Sequence, residues 1–461
     1  MFTTNTYIAR RQKLRQELHS GMLLFLGNDE CGINYEDNTY PFRQDSTFLY
    51  FFGIERPGLA AIIDIEEGTE TIFGDEQNID DVVWTGTLPT LRAVCESVGI
   101  TRLEPTAKLG GIIDSARVRG RIIHFLPTYR AEHRLKLFDL MNILPPEQAR
   151  RVSRPFISAI IKQRIYKSDD EVREIEKAVD ISIDMHLEAA RLLRPGIKES
   201  EIAAAVTAVA ERDGGSLAFP VIATVNGQVL HNHTRDAIAR DGQLFLLDAG
   251  AETRERYVGD ISSTFPVGRR FTEPQRVIYE IVLAAHRAAV DALRPGVHFK
   301  EVHLAAAAAI FEGLKAIGLT RGGVTKAVQA GAHALFFPCG TGHLMGLDVH
   351  DMEGLGERWV GYNGIVRSEQ FGLKSLRLSR PLEPGFVLTI EPGIYFIPEL
   401  VEQWRANKHL EQFINYDKIE PFMHVGGIRN EEDYLITDNG KRRLGKPLPL
   451  DIDDVENLRG A

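Results

Sequence analysis

Four acidic residues and one histidine in the second half of the chain lie within or directly after short apolar runs. These residues are Asp248, Asp260, His343, Glu391 and Glu431. A carboxylate at the end of a buried strand needs a partner, because an unpaired buried charge is very costly. A divalent cation is one such partner, and a donor set made mainly of carboxylate oxygens favours Mn²⁺, with Co²⁺ or Zn²⁺ as alternatives. Carboxylates also bridge ions about 3.5–4 Å apart, so the set favours two ions over one.

Each of these residues has a more ordinary explanation when it is considered alone. A single acid at a strand end is most often a cap or an ion-pair partner, and a single buried histidine is most often hydrogen-bonded within a core. Asp351, Glu432 and Asp433 are interpreted as surface acids or neighbours of the site, and His233 as a hydrogen-bonded neighbour. Composition and spacing therefore put the metal interpretation only slightly ahead of the structural one.

Other catalytic motifs are missing from the sequence. It contains no GxxxxGK[ST] phosphate loop, no HExxH zinc helix and no GxSxG nucleophile motif. The glycine-rich segment 340–346 departs from the GxGxxG spacing and lacks a surrounding βαβ pattern. Nucleotide binding is therefore disfavoured.

An internal repeat predicts two similar α+β halves in the second part of the chain. Leu-Arg-Pro-Gly at 193–196 recurs at 293–296, and each copy separates two alanine-rich helical stretches. Farther along each half, a turn glycine precedes an apolar strand and is followed six residues later by an acid, Asp248 or Glu391. Chance recurrence of Pro-Gly turns is the alternative. The paired acids instead predict a pseudo-symmetric domain with its site between the halves.

The first part of the chain alternates short apolar runs with helical stretches, which predicts an α/β domain over residues 1–165. Ser168, followed three residues later by Glu171, forms a capping-box pattern that predicts a helix start. The second domain is therefore placed at 166–461. Three segments have the composition of buried strands: 21–27, 59–65 and 121–126.

Bulk composition restricts the classes of partner. The length of 461 residues predicts two domains, and the net charge of −10 without a basic stripe argues against nucleic-acid binding. Three widely spaced cysteines without a CxxC motif argue against a disulfide framework and are typical of a reducing compartment. The N-terminus lacks a signal-peptide pattern and no run of eighteen apolar residues occurs, so we expect a cytoplasmic protein without a membrane span.

Several ordered segments give the sequence a resemblance to the aminopeptidase P and prolidase family of metallopeptidases. They are Asp-Ala-Gly at 248–250, Gly-Asp-Ile-Ser-Ser-Thr-Phe-Pro at 259–266, Gly-His-Leu-Met-Gly-Leu-Asp-Val-His-Asp at 342–351, Thr-Ile-Glu-Pro-Gly at 389–393 and Gly-Ile-Arg-Asn-Glu at 427–431. The segment 42–53 also resembles part of that family's N-terminal domain, so the resemblance covers both parts of the chain. It implies the creatinase-like "pita-bread" fold: an α+β catalytic domain with a pseudo-two-fold repeat, preceded by a smaller α/β domain.

Position by position, the resemblance implies five metal ligands and several further site residues. The ligands fall on Asp248, Asp260, His343, Glu391 and Glu431, and the further catalytic residues on His231, His350 and Arg429. Two Mn²⁺ ions would lower the pKa of a shared water, and Glu391 would act as the general base. His231 would stabilise the oxyanion and His350 would position the substrate. The missing N–H of proline and its fixed ring would provide selectivity.

Two features resemble prolidases, which cut Xaa-Pro dipeptides, more than aminopeptidases, which accept longer peptides. The interval from Glu391 to Glu431 is forty residues long and includes a loop through Trp404. The stretch 372–380 resembles a prolidase segment whose arginine grips the substrate carboxylate, and the matching residue is Arg377. The predicted function is therefore hydrolysis of the bond preceding proline by an Xaa-Pro dipeptidase, with Xaa-Pro aminopeptidase as the alternative.

The sequence departs from the family pattern in two places. The interval from Asp248 to Asp260 is one residue longer, which implies a lengthened turn over 252–256, and the approach to Asn226 is not rich in glycine and serine. Neither departure removes a ligand, so a non-catalytic binding module of the same fold and creatinase-type C–N hydrolysis are disfavoured. The N-terminal domain and Arg377 also disfavour a methionine aminopeptidase. The resemblance implies a small peptide substrate and a homodimer.

Overall fold

The computed structural model describes residues 2–460 of the chain. Backbone contacts divide the chain into two compact units, Met1–Arg164 with Met352–Trp359 and Ile165–Asp351 with Val360–Ala461. Across residues 2–460, every helix is too short or too polar to cross a membrane.

The first unit contains a five-stranded sheet with helices packed on it. Its elements are α1 Thr4–Glu17, β1 Met22–Leu26, α2 Ser46–Phe52, β2 Ala60–Asp64, β3 Thr69–Phe73, α3 Ile79–Thr85, α4 Leu91–Ser97, β4 Arg102–Glu104, α5 Lys108–Val118, β5 Ile123–His124, α6 Ala131–Met141, α7 Pro145–Arg151 and α8 Arg154–Arg164. The strand order is β4-β3-β2-β1-β5, with antiparallel pairs at the centre and parallel pairs at both edges. Because apolar side chains of α5 and α6 pack on β1 and β2, the core lies between the sheet and these helices.

The strand predictions for this unit are confirmed for two segments and only partly for the third. The apolar runs at 21–27 and 59–65 form β1 and β2, which pair antiparallel over five residues each. The run at 121–126 contributes only the two residues of β5 to the sheet. That strand pairs with β1 alone, at the edge of the sheet.

The chain from Ile165 onward is a mixture of long helices and small antiparallel sheets, and its segment Met352–Trp359 belongs to the first unit. Its elements are α9 Asp169–Leu192, α10 Glu199–Glu211, β6 Ser216–Leu217, β7 Ile222–Thr224, β8 Leu244–Ala249, β9 Ala251–Glu252, β10 Ile261–Pro266, α11 Glu273–Ala292, α12 Phe299–Ala316, α13 Val324–Ala330, α14 Glu357–Val360, β11 Val387–Ile390, β12 Gly393–Tyr395, α15 Pro398–Ala406, β13 Gly427–Arg429, β14 Glu432–Thr437, β15 Gly440–Arg443 and α16 Ile452–Gly460. Short 3₁₀ helices occur at Ala332–Leu335, Glu353–Leu355, Tyr416–Lys418 and Glu420–Val425.

Helix α9 begins where the capping-box pattern predicts. The Ser168 side chain accepts a hydrogen bond from the backbone N–H of Glu171, and the Glu171 carboxylate accepts one from the N–H of Ser168. These reciprocal bonds satisfy backbone donors that a helix start otherwise leaves without partners. Helix α9 then packs against α10, and α11 packs against α12 in the same way.

The sequence repeat corresponds to a repeated backbone contact. The N–H of Gly196 donates to the carbonyl of Ala239 at 2.8 Å, and the N–H of Gly296 donates to the carbonyl of Leu382 at 2.8 Å. In both halves this turn joins two packed helices to the segment that leads into an antiparallel strand, β8 in one half and β11 in the other. The two halves therefore present the equivalent strands β8 and β11 in the same local setting.

Candidate metal centre

Strand geometry explains where the five predicted ligands lie. Asp248 is near the end of β8 and Asp260 directly precedes β10, its antiparallel neighbour. Glu391 directly follows β11, and Glu431 lies between β13 and β14. His343 lies in a loop held against β11, because the N–H of Thr389 donates to the carbonyl of His343 at 3.0 Å.

Three of the five side chains form a tight buried group. One potential ligand atom from each of Asp260, His343 and Glu431 lies within 4.8 Å of the other two. The Nε2 atom of His343 is 3.3 Å from Oδ2 of Asp260. Oδ1 of Asp260 and Oε1 of Glu431 are buried and have no hydrogen-bond partner among the described residues. Since buried carboxylate oxygens normally have partners, these two fit a cation.

Glu391 and Asp248 lie beside this group and are more exposed. Oε1 of Glu391 is 3.7 Å from Nε2 of His343, and the Glu391 side chain is 22% exposed against 5% for His343. Asp248 is 13% exposed, and its Oδ2 accepts a hydrogen bond from Nη2 of Arg429. The structure thus brings all five predicted residues into one neighbourhood, with two carboxylates on its more open side.

Several buried acids lie close together in the cluster, and the pKa values of three of them are raised. Desolvation, with the nearby charge of Asp260, raises the pKa of Asp248 to about 6 and that of Glu391 to about 7. The pKa of Glu431 is raised well above its ordinary value by burial and by the same charges. Burial lowers the pKa of His343, but the hydrogen bond to Asp260 and the charge of Glu391 outweigh it and leave that pKa raised. A bound cation would favour the ionised form of every carboxylate here.

Arg429 connects the two sides of the cluster. It is buried on β13 and donates from Nε to Oγ of Ser262 at 2.9 Å and from Nη1 to the hydroxyl of Tyr395 at 3.0 Å. Its Nη2 donates to Asp248. The negative charge of neighbours raises the pKa of Arg429 despite its burial, so the side chain is a fixed cation at the back of the site.

Of the predicted histidines, His350 packs against a cluster residue, and His231 is near enough to Arg429 for that charge to act on it. The His350 ring stands edge-on to His343, with centroids 4.4 Å apart. His231 is exposed, and partial desolvation together with the positive charges of Arg429 and Arg377 lowers its pKa. The turn that leads to His231 packs closely on β13, because a Cβ at position 227 would lie 2.5 Å from the carbonyl oxygen of Gly427.

Three acids that the sequence suggested to be surface residues or neighbours are all buried. Oδ2 of Asp433 accepts the N–H of Asp260 at 3.1 Å, so Asp433 helps to fix the backbone of a predicted ligand. Asp351 pairs with Lys167 at 2.8 Å, and Glu432 accepts from the guanidinium of Arg443. The surface interpretation is therefore wrong for all three, whereas that of a neighbouring acid fits Asp433.

Sequence reasoning did not identify Ser262 or Tyr395, which both contact Arg429. A signal existed for Ser262: it follows Asp260 by two residues in a strand, and such residues share a face. The lengthened turn predicted over 252–256 corresponds to a turn in which Arg256 has a φ of 67°. The N–H of Thr253 closes it on the carbonyl of Tyr257 at 2.9 Å.

Comparisons with known proteins agree with a site for divalent metal ions. A family model described as Metallopeptidase family M24 matches residues 173–438, and one described as Aminopeptidase P, N-terminal domain matches residues 7–122. An Xaa-Pro dipeptidase of Mus musculus is 30% identical, with 98% of this chain and 92% of the relative covered. An Xaa-Pro aminopeptidase of Escherichia coli K12 is 29% identical, with 98% and 97% covered.

Solved structures of relatives match the whole chain. The aminopeptidase PepP of Pseudomonas aeruginosa has a TM-score of 0.82 at 26% identity, covering 100% of this chain and 98% of the other. Proline aminopeptidase P II of Yersinia pestis has a TM-score of 0.82 at 28% identity, covering 100% of both chains. The fold is therefore the pita-bread fold, with an α+β catalytic part that follows an α/β N-terminal part. Together with the buried carboxylate and histidine group, the match over residues 173–438 shows that the chain belongs to metallopeptidase family M24.

Proposed function

We propose that this chain is an Xaa-Pro dipeptidase, which hydrolyses the single peptide bond of a dipeptide that ends in proline. Relatives at similar identity are named Xaa-Pro dipeptidase and Xaa-Pro aminopeptidase, so the choice between these two activities depends on residues of this chain. The observation that carries the choice is Arg377, which lies in a segment that resembles the carboxylate-gripping segment of prolidases. Its charge helps to lower the pKa of His231, so Arg377 faces the same site.

We propose that two Mn²⁺ ions are held by Asp248, Asp260, His343, Glu391 and Glu431. The orphaned oxygens of Asp260 and Glu431 support this assignment, and hard carboxylate donors favour Mn²⁺. When bound, the ions would polarise the scissile carbonyl and acidify water.

The remaining chemistry is assigned to side chains of this chain. Glu391 takes the proton of the attacking water, because its carboxylate lies on the more exposed side of the group and a bound cation would keep it ionised near neutral pH. His231, whose pKa is lowered, is neutral at pH 7 and donates a ring N–H to the developing oxyanion. His350, which packs against His343, positions the substrate. Arg429 keeps Asp248 in place through their hydrogen bond.

Close contacts hold the backbone around Arg377 in place. A residue that selects substrates by their length needs such a fixed position. The carbonyl oxygen of Arg377 lies so close to Gly361 that a Cβ there would be 1.8 Å away. The hydroxyl of Tyr362 donates to the carbonyl of Leu376 at 2.7 Å. A held backbone restricts where the Arg377 guanidinium can reach, and so restricts the distance from the scissile bond at which it can bind a carboxylate.

The long interval between Glu391 and Glu431 contributes a second support for the same segment. It contains helix α15, and Trp404 of that helix packs on Phe371, with ring centroids 6.2 Å apart. Phe371 lies six residues before Arg377. The interval between Glu391 and Glu431, which resembles that of prolidases in length, thus packs against the segment that contains Arg377.

The test compares Ala-Pro with Ala-Pro-Ala at saturating Mn²⁺. A hydrogen bond to a charged group contributes about 1.5–3 kcal/mol, and a tripeptide presents an amide where the dipeptide has a carboxylate. We expect kcat/KM for the dipeptide to exceed that for the tripeptide at least about tenfold. Arg377→Ala should remove most of this ratio, and Arg377→Lys should restore only part of it, because an ammonium lacks the planar fork. Lys374→Ala, which removes an exposed cation of the same segment, should leave the ratio unchanged.

Equal cleavage of both peptides by the unmodified enzyme would reject the dipeptidase assignment in favour of an Xaa-Pro aminopeptidase. Because solved relatives are aminopeptidases, that activity is the second candidate. The metal chemistry would be the same in both cases.

We also propose residues 1–165 and 166–461 as the two domains, a homodimer as the assembly and the cytoplasm as the location. The positions of the two family matches support the boundary. Limited proteolysis tests the boundary and light scattering tests the dimer, which a monomeric mass would exclude.

A further inference from the structure

Strand β10 carries two adjacent buried serines that face opposite sides. Ser262 is 0% exposed and Ser263 is 3% exposed. Ser262 pairs with Asp248 of β8 in the strand register, so both side chains lie on the face of the sheet toward the cluster. Ser263 lies on the other face, where its hydroxyl is 2.9 Å from Nδ1 of His186 on α9. The two serines are therefore similar in burial and different in what they contact.

The hydrogen-bond direction at Ser262 is fixed by its neighbours. A guanidinium has donors and no acceptor, so the oxygen of Ser262 accepts the Nε–H of Arg429 at 2.9 Å. The single hydroxyl proton then goes to Oε2 of Glu431, which lies 2.8 Å away. The backbone adds a further bond, because the N–H of Glu431 donates to the carbonyl of Ser262 at 2.9 Å. Ser262 thus holds both the backbone and one carboxylate oxygen of Glu431.

This arrangement leaves the other oxygen of Glu431 in a defined place. Oε1 is buried and has no hydrogen-bond partner among the described residues, and Glu431 belongs to the tight group with Asp260 and His343. A carboxylate tied at one oxygen keeps the second oxygen oriented, which reduces the freedom lost when an ion binds. Ser262 also stands between the Arg429 guanidinium and the carboxylate, two groups that otherwise attract each other directly.

We propose that Ser262 is a positioning residue for the metal site, which orients Glu431 so that Oε1 is available to a divalent cation. The inference rests on the proposed metal site and adds a residue outside the five ligands. Removal of the hydroxyl leaves Glu431 free to turn toward Arg429, so the loss is expected in metal affinity.

The test uses full-length protein treated with EDTA and titrated with Mn²⁺ in a calorimeter. Partners that orient metal ligands typically contribute about 10–100-fold in affinity, and we expect Ser262→Ala to lose that much. Ser263→Ala is the matched control: it removes a neighbouring buried hydroxyl from the same strand and should change Mn²⁺ affinity less than about threefold. Ser262→Thr retains the hydroxyl and should recover most of the affinity.

Thermal melts without metal separate folding from binding. Both variants should still unfold cooperatively, and Ser262→Ala should melt at the lower temperature, since it loses hydrogen bonds to two charged groups. If Ser262→Ala binds Mn²⁺ as tightly as the unmodified protein, or if Ser263→Ala loses as much affinity, the role of Ser262 is rejected. If Ser262→Ala does not fold, the result for Ser262→Thr decides. The proposal is overturned if Ser262→Thr binds Mn²⁺ as weakly as Glu431→Gln, a variant of a proposed ligand. If the unmodified protein binds no divalent ion, the proposed metal site itself fails.

Discussion

When bound cations are removed, the free energy of unfolding of this enzyme should fall as pH rises toward neutrality. The contribution of Glu391 to this fall is large enough to measure. Desolvation raises its pKa from an ordinary 4.5 to about 7, so the folded state holds this proton more tightly than the unfolded state. A raised pKa contributes stability that is complete below pH 4.5 and is lost as pH rises through 7. A shift of this size corresponds to roughly 3 kcal/mol, since one unit is about 1.4 kcal/mol.

The assay compares unmodified protein with Glu391→Gln, both in EDTA, by urea denaturation between pH 4.5 and 8. Trp404, which is buried in the same unit, reports unfolding by fluorescence. Most titrations are shared by the two proteins, so the difference between their unfolding free energies reports Glu391 together with the neighbouring acids whose pKa it raises, Glu431 and Asp433. The unmodified protein should lose roughly 3 kcal/mol more than the variant across this range. Glu402→Gln, a change at an exposed residue of α15, should give a curve parallel to the unmodified one.

Parallel curves for the unmodified protein and Glu391→Gln would refute this reasoning. They would mean that Glu391 titrates as an ordinary carboxyl group in the protein without metal, so that burial and its acidic neighbours do not raise its pKa. Added Mn²⁺ provides the reverse check. Because ligands must be deprotonated to bind, the stabilisation by Mn²⁺ should grow as pH rises.

Two further predictions concern turnover and packing. Glu391→Gln at saturating Mn²⁺ should lower kcat on Ala-Pro by about 10²–10⁴-fold with an unchanged circular dichroism spectrum, and a near-normal kcat would reject the general-base role. Lys167→Met should destabilise the protein by about 3–5 kcal/mol in denaturation experiments, because it removes the buried cation that lies 2.8 Å from the carboxylate of Asp351. The double change Lys167→Met/Asp351→Leu should recover most of that loss. Lys446→Met, which removes a partly exposed partner of Asp184, should cost less than about 1 kcal/mol, and a cost equal to that of Lys167→Met would contradict the burial argument.

The sequence predicted those features of the fold that depend on interactions between residues close together in the chain. The start of α9 follows from the reciprocal bonds of Ser168 and Glu171, which lie three residues apart. The placement of Asp248 and Glu391 follows from turn glycines and apolar strands within a few residues of each. In these cases the sequence contains both partners of the interaction in one short window.

Contacts between distant segments explain what the sequence did not predict. Ser262 and Arg429 are 167 residues apart, and Ser262 and Glu431 are 169 apart. The sequence places Ser262 on the same strand face as Asp260, but it does not show which distant side chains Ser262 contacts. Asp433 was misleading for a different reason: acids at successive positions are typical of a surface, yet β14 is buried and Asp433 meets the backbone of Asp260.

The buried acids of this site are unfavourable for folding when they lack a cation, and this connects the sequence pattern to the chemistry. Desolvation and the charges of neighbouring acids raise the pKa of Asp248, Glu391 and Glu431, so ionisation of one acid in the cluster makes ionisation of others harder. A fold that served only stability would replace such a group by apolar residues. An ion bound only by the folded state offsets the cost, and at a hundred times its dissociation constant it adds about 2.7 kcal/mol of stability. The strands that deliver these acids therefore make stability depend on the ions that the proposed catalysis requires.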